Sequence, residues 1–299
     1  MRVLVSGSTG LVGSALVPRL RLEGHEVVRL LRRPPPLGPF EAFWDPGAGR
    51  VDVEALEGFD VVIHLSGQSL ASAPWTEARK RVIRQSRIDS TRLLSTSLQR
   101  VARRPGVLVA ASAVGYYGDR GDEALTESAS GGTGFLATLC REWEAASEPA
   151  AGAGIRVVVL RTGIVLTPLG GALRAMLPIF RLGLGGPVGD GAQWLSWISL
   201  TDLLRAMEHV IAQDSIRGPV NTVSPSPVTN REFVRALGRA LKRPAALPVP
   251  AFALNLLLGE MARETLLSSQ RAVPERLVRT GFAFSYPDFE PALRHALGV

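Results

Sequence analysis

Three glycines at the start of the chain, Gly7, Gly10 and Gly13, constrain it more than any other feature. They follow Met1-Arg2-Val3-Leu4-Val5-Ser6, a short apolar run rich in β-branched residues, and precede an apolar periodic stretch from Ala15 to Leu22. Strand, glycine turn and helix in that order form the context in which a glycine pattern reads as a dinucleotide fingerprint. Gly7 permits the tight turn, Gly10 allows a backbone approach to a pyrophosphate, and Gly13 allows helix and strand to pack closely. The free N–H groups of the helix's first turn, from Leu11 and Val12 onward, would face the phosphates. The spacing is G-x-x-G-x-x-G rather than the commoner G-x-G-x-x-G.

Gly24-His25 stops the first helix, and Glu26 to Leu31 reads as a second strand. An acidic residue usually follows this strand when the ribose 2′-hydroxyl is to be held. Here the strand runs into Leu31-Arg32-Arg33. A guanidinium suits a 2′-phosphate that a carboxylate would repel, which favours NADP over NAD; the bland alternative is that one or both arginines merely face water. Pro34 to Pro46 reads as a proline- and glycine-rich loop with Trp44-Asp45 inside it, both structural, and Val51 to Leu56 as a short helix. Asp60 to Leu65 is the third strand. Its end should lie beside a cofactor through main-chain groups of Leu65 and Ser66, with His64 as a packing residue. Trp75 to Arg103 keeps a helical period and carries Arg87, which could reach a cofactor or a core carboxylate. Gly106 to Ser112 is a fourth strand, Thr133 to Ala146 a helix and Ile155 to Leu160 a fifth strand, closed by Arg161 to Val165. This alternation predicts an α/β fold with a Rossmann-type doubly wound parallel sheet.

From Pro168 to Trp197 the chain reads as irregular and glycine-rich. Helices are expected over Leu200–Ala212, with Ser199 or Thr201 as cap, and from Thr229 or Asn230 to Leu241, with a strand at 220–223 between them. A small helical tail follows Pro248. The expected division is a dinucleotide-binding domain over 1–167, to which 194–223 returns, and a smaller capping region made of 168–193 and 224–299.

The 299 residues carry a formal charge of +7, almost all of it arginine, since Lys80 and Lys242 are the only lysines. The arginines are scattered, with no basic block and no nucleic-acid recognition motif, so no nucleic-acid partner is expected. Cys140 is the only cysteine. No intramolecular disulfide can form, which suits a reducing cytoplasm. Ala251 to Leu258 is apolar but too short to span a bilayer, so no membrane association is expected. The four histidines do not cluster with cysteines or carboxylates, and no metal site is expected.

The chain resembles an extended short-chain dehydrogenase/reductase of the NAD-dependent epimerase/dehydratase superfamily, in an atypical branch with a small C-terminal domain of unknown function. The resemblance covers nearly the whole chain. It rests on Gly7 to Gly13, on His64-Leu65-Ser66-Gly67, on Gly115-Tyr116-Tyr117-Gly118, and on Arg181-Leu182-Gly183-Leu184-Gly185-Gly186-Pro187 followed by Trp197-Ile198 and Asp202. The tail, over about 247–297, is similar to that C-terminal domain. The resemblance implies NADP(H) contacts at Thr9 to Gly13, Leu31, Arg32, Leu65, Ser66, Arg87 and Val165, and a homodimer.

Ordinary members use a Tyr-x-x-x-Lys pair on the helix after the fourth strand, with a serine upstream; the lysine lowers the tyrosine's pKa. Here Phe135 stands for the tyrosine and Leu139 for the lysine, and Ala113 falls at the serine position with Ser112 one residue earlier. A phenyl ring cannot exchange a proton, so the ordinary mechanism is excluded and the catalytic residues stay unassigned. Two readings follow. One is an NADP(H)-dependent oxidoreductase or epimerase-like enzyme acting on a small molecule with another acid, with Tyr116 or Tyr117 as candidates. The other is a non-catalytic NADP(H)-sensing regulator, some members of the branch being labelled cell-division inhibitor homologues.

Overall fold

A computed structural model describes all 299 residues. The elements run β1 (Arg2–Ser6), α1 (Leu11–Leu22), β2 (Glu26–Leu31), β3 (Glu41–Asp45), β4 (Arg50–Val51), β5 (Val61–His64), α2 (Glu77–Leu98) and β6 (Val107–Ala113). Then come β7 (Ala124–Leu125), α3 (Phe135–Ala145), α4 (Glu148–Gly152), β8 (Arg156–Thr162), β9 (Ile164–Leu166), α5 (Gly171–Arg181), β10 (Trp194–Leu195) and β11 (Trp197–Ser199). The chain closes with α6 (Leu200–Ala212), β12 (Gly218–Thr222), β13 (Val228–Thr229), α7 (Asn230–Leu241), α8 (Ala251–Leu258), α9 (Glu260–Thr265), β14 (Arg271–Ala272), α10 (Glu275–Arg279) and α11 (Phe289–Leu297). No helix is long and apolar enough to cross a membrane.

Eight strands form one sheet in the order β12-β8-β6-β5-β1-β2-β3-β4. The pairs β1–β2, β1–β5, β2–β3 and β5–β6 are parallel, and β3–β4 is antiparallel. The order reverses at β1, where the chain winds first toward β2 and then, on the other side, toward β5. Such a reversal opens a crevice at the carboxyl ends of the strands. This is the doubly wound α/β sheet that the sequence predicts.

Three local expectations are corrected. The stretch after Pro34-Pro35-Pro36 contains the strand β3, paired through Arg29↔Glu41, Leu30↔Ala42 and Leu31↔Phe43. Ala42 and Trp44 alternate inward with Phe43 outward, and that period-2 pattern outweighs the nearby prolines. The segment 51–56 is no continuous helix: β4 ends at Val51, and a single 3₁₀ turn covers Glu54–Leu56. The region expected to be irregular after Pro168 contains α5. Leu173, Leu177 and Phe180 form its buried stripe, while Pro178 inside it and glycines beside it hide the period.

The chain divides into two compact units. The first comprises 1–112, 141–160 and 207–219; the second comprises 113–140, 161–206 and 220–299. Of the stretches assigned to the dinucleotide-binding domain from sequence, 113–140, 161–167, 194–206 and 220–223 group with the second unit, while 207–219 stays with the first. The first unit's core contains Leu4, Leu30, Trp44, Val62, Leu94 and Leu108. The second unit's core gathers Leu173, Phe180, Trp197, Phe233, Phe289 and Leu293, with Phe289 against both Trp197 and Phe233. Within it β14 pairs with β7, so the tail is built into the unit.

Candidate functional site

In the first unit, Val3, Leu4 and Val5 are fully buried in β1, and the chain leaves the sheet at Ser6 into the glycine loop. Gly7 takes φ +70°, and a Cβ there would lie 2.6 Å from the carbonyl carbon of Leu65. A Cβ on Gly13 would lie 2.3 Å from the Gly7 carbonyl oxygen. These two glycines therefore lock the loop between β5 and α1. At Gly10 a Cβ would meet only the Gly7 oxygen, at 3.3 Å, leaving that side of the loop open. No side chain caps α1 at Gly10, and its first turn holds no acidic residue. The first N–H groups of Leu11, Val12 and Gly13 thus form an uncapped, positively polarised helix end.

Beside this loop lies a cavity of about 480 Å³. Of the residues singled out from sequence, Gly7, Thr9, Gly10, Leu31, Arg32, Leu65 and Ser66 line it. Leu11, Val12 and Gly13 build the helix start behind them. Arg87 does not line the cavity. It is buried in α2, donates from Nη1 to the Ile83 carbonyl at 3.2 Å and sits over Trp143 at 5.2 Å. Val165 belongs to the second unit, in β9, paired with Ile198 of β11.

Among the lining residues that sequence reasoning missed, which include Gly67 and Gln68, three groups stand out. Ser8 is one: its hydroxyl is buried and has no protein partner. The Asp45-Pro46-Gly47 turn at the end of β3 is another, and the third is the face of α2 carrying Gln85, Ser86, Asp89 and Ser90. The Pro-Gly dipeptide after a strand-prone run was the available signal for the turn. Nothing in the sequence pointed to the α2 face, which only the chain's return over the sheet brings there.

The two arginines after β2 are distinguished by their surroundings. Arg33 is ion-paired to Glu41, which also holds Arg29. The Gly38 N–H and the two guanidinium groups keep the Glu41 carboxyl below its usual range. Arg32 is exposed, lines the cavity and has no ion-pair or hydrogen-bond partner in the protein.

His64 is a packing residue, as its strand-end position suggests. Its Nδ1 lies 2.6 Å from the Ser6 hydroxyl and its Nε2 lies 2.9 Å from the Thr91 hydroxyl, which also accepts from the Trp143 indole at 3.0 Å. Full burial pushes its pKa down to about 4. The unfolded chain binds a proton here near pH 6.5 and the folded chain does not, so this contribution is complete above pH 6.5 and is lost as pH falls toward 4. The shift corresponds to about 3 kcal/mol. A His64→Gln variant is expected to remove this pH dependence: urea midpoints at pH 7.5 and 4.5 should differ less for the variant than for the wild type. Equal differences would show that the acid sensitivity lies elsewhere.

In the second unit, Phe135 opens α3 and Leu139 and Cys140 are buried in it. Glu264 caps this helix, accepting from the N–H groups of Phe135 at 2.7 Å and Leu136 at 2.6 Å. The Tyr117 hydroxyl is enclosed by protein groups: it lies 2.7 Å from Asn221 Oδ1 and 3.0 Å from the Thr126 carbonyl, and it accepts from Arg161 at 3.1 Å. Burial raises its pKa against the pull of Arg161. Tyr116 lies under the Arg161 guanidinium at 3.4 Å. Glu127 accepts from the backbone N–H groups of Asn221 and Arg276, and burial raises its pKa. This side-chain network is saturated at Tyr117 and makes that residue a structural anchor. In the first unit, Ser112 donates to Glu144 at 2.7 Å.

A parallel sheet whose order reverses at β1, a glycine loop there and an uncapped helix start over an open cavity define a dinucleotide-binding fold of the Rossmann kind. The chain belongs to the NAD dependent epimerase/dehydratase family, whose model matches residues 3–222. A domain of unknown function (DUF1731) matches residues 249–296. The chain is 46% identical over 294 residues to an epimerase family protein, Mb2239, of Mycobacterium bovis, covering 98% of this chain and 97% of that one. It is 36% identical over 297 residues to the human epimerase family protein SDR39U1, covering 98% and 99% of the two chains. The crystal structure of human SDR39U1 (isoform 2) with NADPH matches with a TM-score of 0.90 at 34% identity, covering all of both chains.

Proposed function

We propose that this chain binds NADP(H) at the glycine loop of its first unit and serves as an oxidoreductase or epimerase-like enzyme toward a small molecule. The observation that carries the reading is Arg32: an unpaired guanidinium on the cavity wall at the end of β2, where a 2′-phosphate would be held. The residues fit the group in a second respect, because the buried, partnerless Ser8 hydroxyl and the uncapped start of α1 are donors suited to phosphate oxygens. The crystal structure of the human relative is described with NADPH, which supports the same choice. When bound, the nicotinamide supplies or accepts hydride. Thr9, Gly10 and the first turn of α1 would hold the pyrophosphate, Leu31 and Arg32 the adenosine ribose, and Leu65 and Ser66 would offer main-chain groups. Phe135 and Leu139 exclude the usual acid of the family, and the enclosed hydroxyl of Tyr117 is no free substitute.

That last observation favours a second reading, a non-catalytic NADP(H) sensor. Both readings share one experiment. Fluorescence titration should give tight NADPH binding and weaker NADH binding, and Arg32→Ala should weaken NADPH about tenfold or more while leaving NADH unchanged. Equal affinity for both nucleotides in the wild type would overturn the assignment of Arg32. Following NADPH absorbance on the same protein across a panel of carbonyl compounds separates enzyme from sensor, since the sensor leaves the absorbance constant throughout.

A further inference from the structure

The second unit carries a cavity of about 590 Å³ along α7, and its lining shares no residue with the glycine-loop cavity. Five cationic side chains line it: Arg231, Arg235, Arg239, Lys242 and Arg243. No acidic residue does, and the remaining wall is apolar, including Pro187 and Ala245. Arg231, Arg235 and Arg239 are spaced four apart, so they share one face of α7, while Phe233, Leu237 and Ala240 on the other face are buried in the core and Val234 joins the cavity wall from the boundary.

This arrangement works against the helix. Like charges four residues apart repel one another. Arg231 stands in the first turn, at the positively polarised end, where an anion would be favoured. The capping box of Thr229 and Glu232 holds the helix start in spite of it. At the other end the chain turns back with Lys242 at φ +54°, a conformation that glycine usually supplies at this position. Gly238 makes room for the return, since a Cβ there would lie 2.7 Å from Ala245 Cβ. The turn keeps Lys242 and Arg243 on the cavity wall.

The protein itself scarcely neutralises these charges. Arg239 pairs with Glu290, and Arg231 donates to the Asp190 carbonyl. Arg235, Lys242 and Arg243 have no ion pair and no side-chain hydrogen bond. Three unpaired cations and two partly engaged ones around an acid-free concavity form an electropositive site that concentrates anions.

We infer that this cavity is an anion-binding site for a phosphate-bearing ligand, distinct in its residues from the dinucleotide cavity. Its volume exceeds that of a single phosphate, and its guanidinium groups suit phosphate oxygens in bidentate geometry. A soluble phosphate ester or pyrophosphate and an anionic lipid headgroup present the same chemistry, and the test distinguishes them.

The full-length chain is titrated calorimetrically with inorganic pyrophosphate and, separately, co-sedimented with phosphatidylcholine vesicles with and without phosphatidylglycerol. The triple variant Arg235→Gln/Lys242→Gln/Arg243→Gln is compared with a control that removes the same charge elsewhere, Arg81→Gln/Arg92→Gln/Arg100→Gln. Thermal melts verify that both remain folded. The wild type and the control should bind, and the cavity variant should bind about tenfold more weakly or worse. Binding of pyrophosphate but not of vesicles assigns a soluble ligand; binding of phosphatidylglycerol vesicles alone assigns a headgroup. The inference is overturned if neither probe binds, if both variants lose binding equally, or if the cavity variant binds like the wild type, the last being the result for pyrophosphate held at the glycine loop instead.

Discussion

Replacing Gly13 with alanine should destabilise the chain by about 3 kcal/mol and abolish nucleotide binding at the concentrations that saturate the wild type. The added methyl would lie 2.3 Å from the Gly7 carbonyl oxygen, 2.7 Å from Ser8 Cα and 2.9 Å from the Gly7 carbonyl carbon. All three are backbone atoms, so no rotamer change relieves the contact. Gly7 itself cannot retreat, because the backbone of Leu65 and Ser66 packs against it so closely that it fills the place a Cβ would take. Either α1 moves away from the loop or the loop is pushed into the cavity; both displace the N–H groups on which a pyrophosphate would depend. Gly152→Ala is the matched control, since a Cβ there meets nothing within 4 Å and its φ is not positive. Urea unfolding and NADPH titration of both variants decide the matter. A Gly13→Ala protein with wild-type stability and affinity would refute the close packing of loop and helix.

Asp202→Ala should be costly too, at about 3–4 kcal/mol, with no part in it for the dinucleotide cavity. Asp202 is fully buried at the start of α6, and its carboxylate accepts from the N–H groups of Ser285 at 2.7 Å and Tyr286 at 2.9 Å. It also accepts from the Ser199 hydroxyl at 3.0 Å and Arg205 at 3.2 Å. Ser199 returns the contact by accepting from the Asp202 N–H at 2.9 Å, which makes it the cap of α6. Removing the carboxylate strands two backbone donors and frees the segment before α11. Asp202→Asn keeps the shape but turns an amide N–H₂ toward a donor, so it should fall between wild type and alanine. A loss under about 1 kcal/mol for the alanine variant in urea would mean that water replaces the carboxylate at little cost.

The parts of the fold that were legible in the sequence are those in which local pattern and tertiary role agree. Strand, glycine loop and helix over the first 22 residues needed no distant partner to be recognised, and the glycine spacing survived because backbone contacts enforce it at Gly7 and Gly13. The strand β3 was hidden because four prolines, Pro34, Pro35, Pro36 and Pro39, stand just before it, and the burial of Trp44 that fixes it depends on the far edge of the sheet. The helix α5 was hidden by Pro178 and by Gly170-Gly171, residues that ordinarily mark loops. At the site, the sequence supplied both arginines after β2 on equal terms. Only the pairing β2–β3 places Glu41 beside Arg33 and leaves Arg32 free. Arg87 is the converse case. A guanidinium on a helix near the site looks available, yet here it is buried against Trp143.

The second unit's core is completed by Phe289, Ala292 and Leu293, within the last eleven residues of the chain. Those side chains pack with Trp197 and Phe233 from much earlier in the sequence. During synthesis the face of α7 that α11 covers therefore stays open until residues 289–293 have left the ribosome, so the second unit's core closes late. Truncation before Phe289 acts on that step and so on the yield of folded protein, although it touches neither cavity.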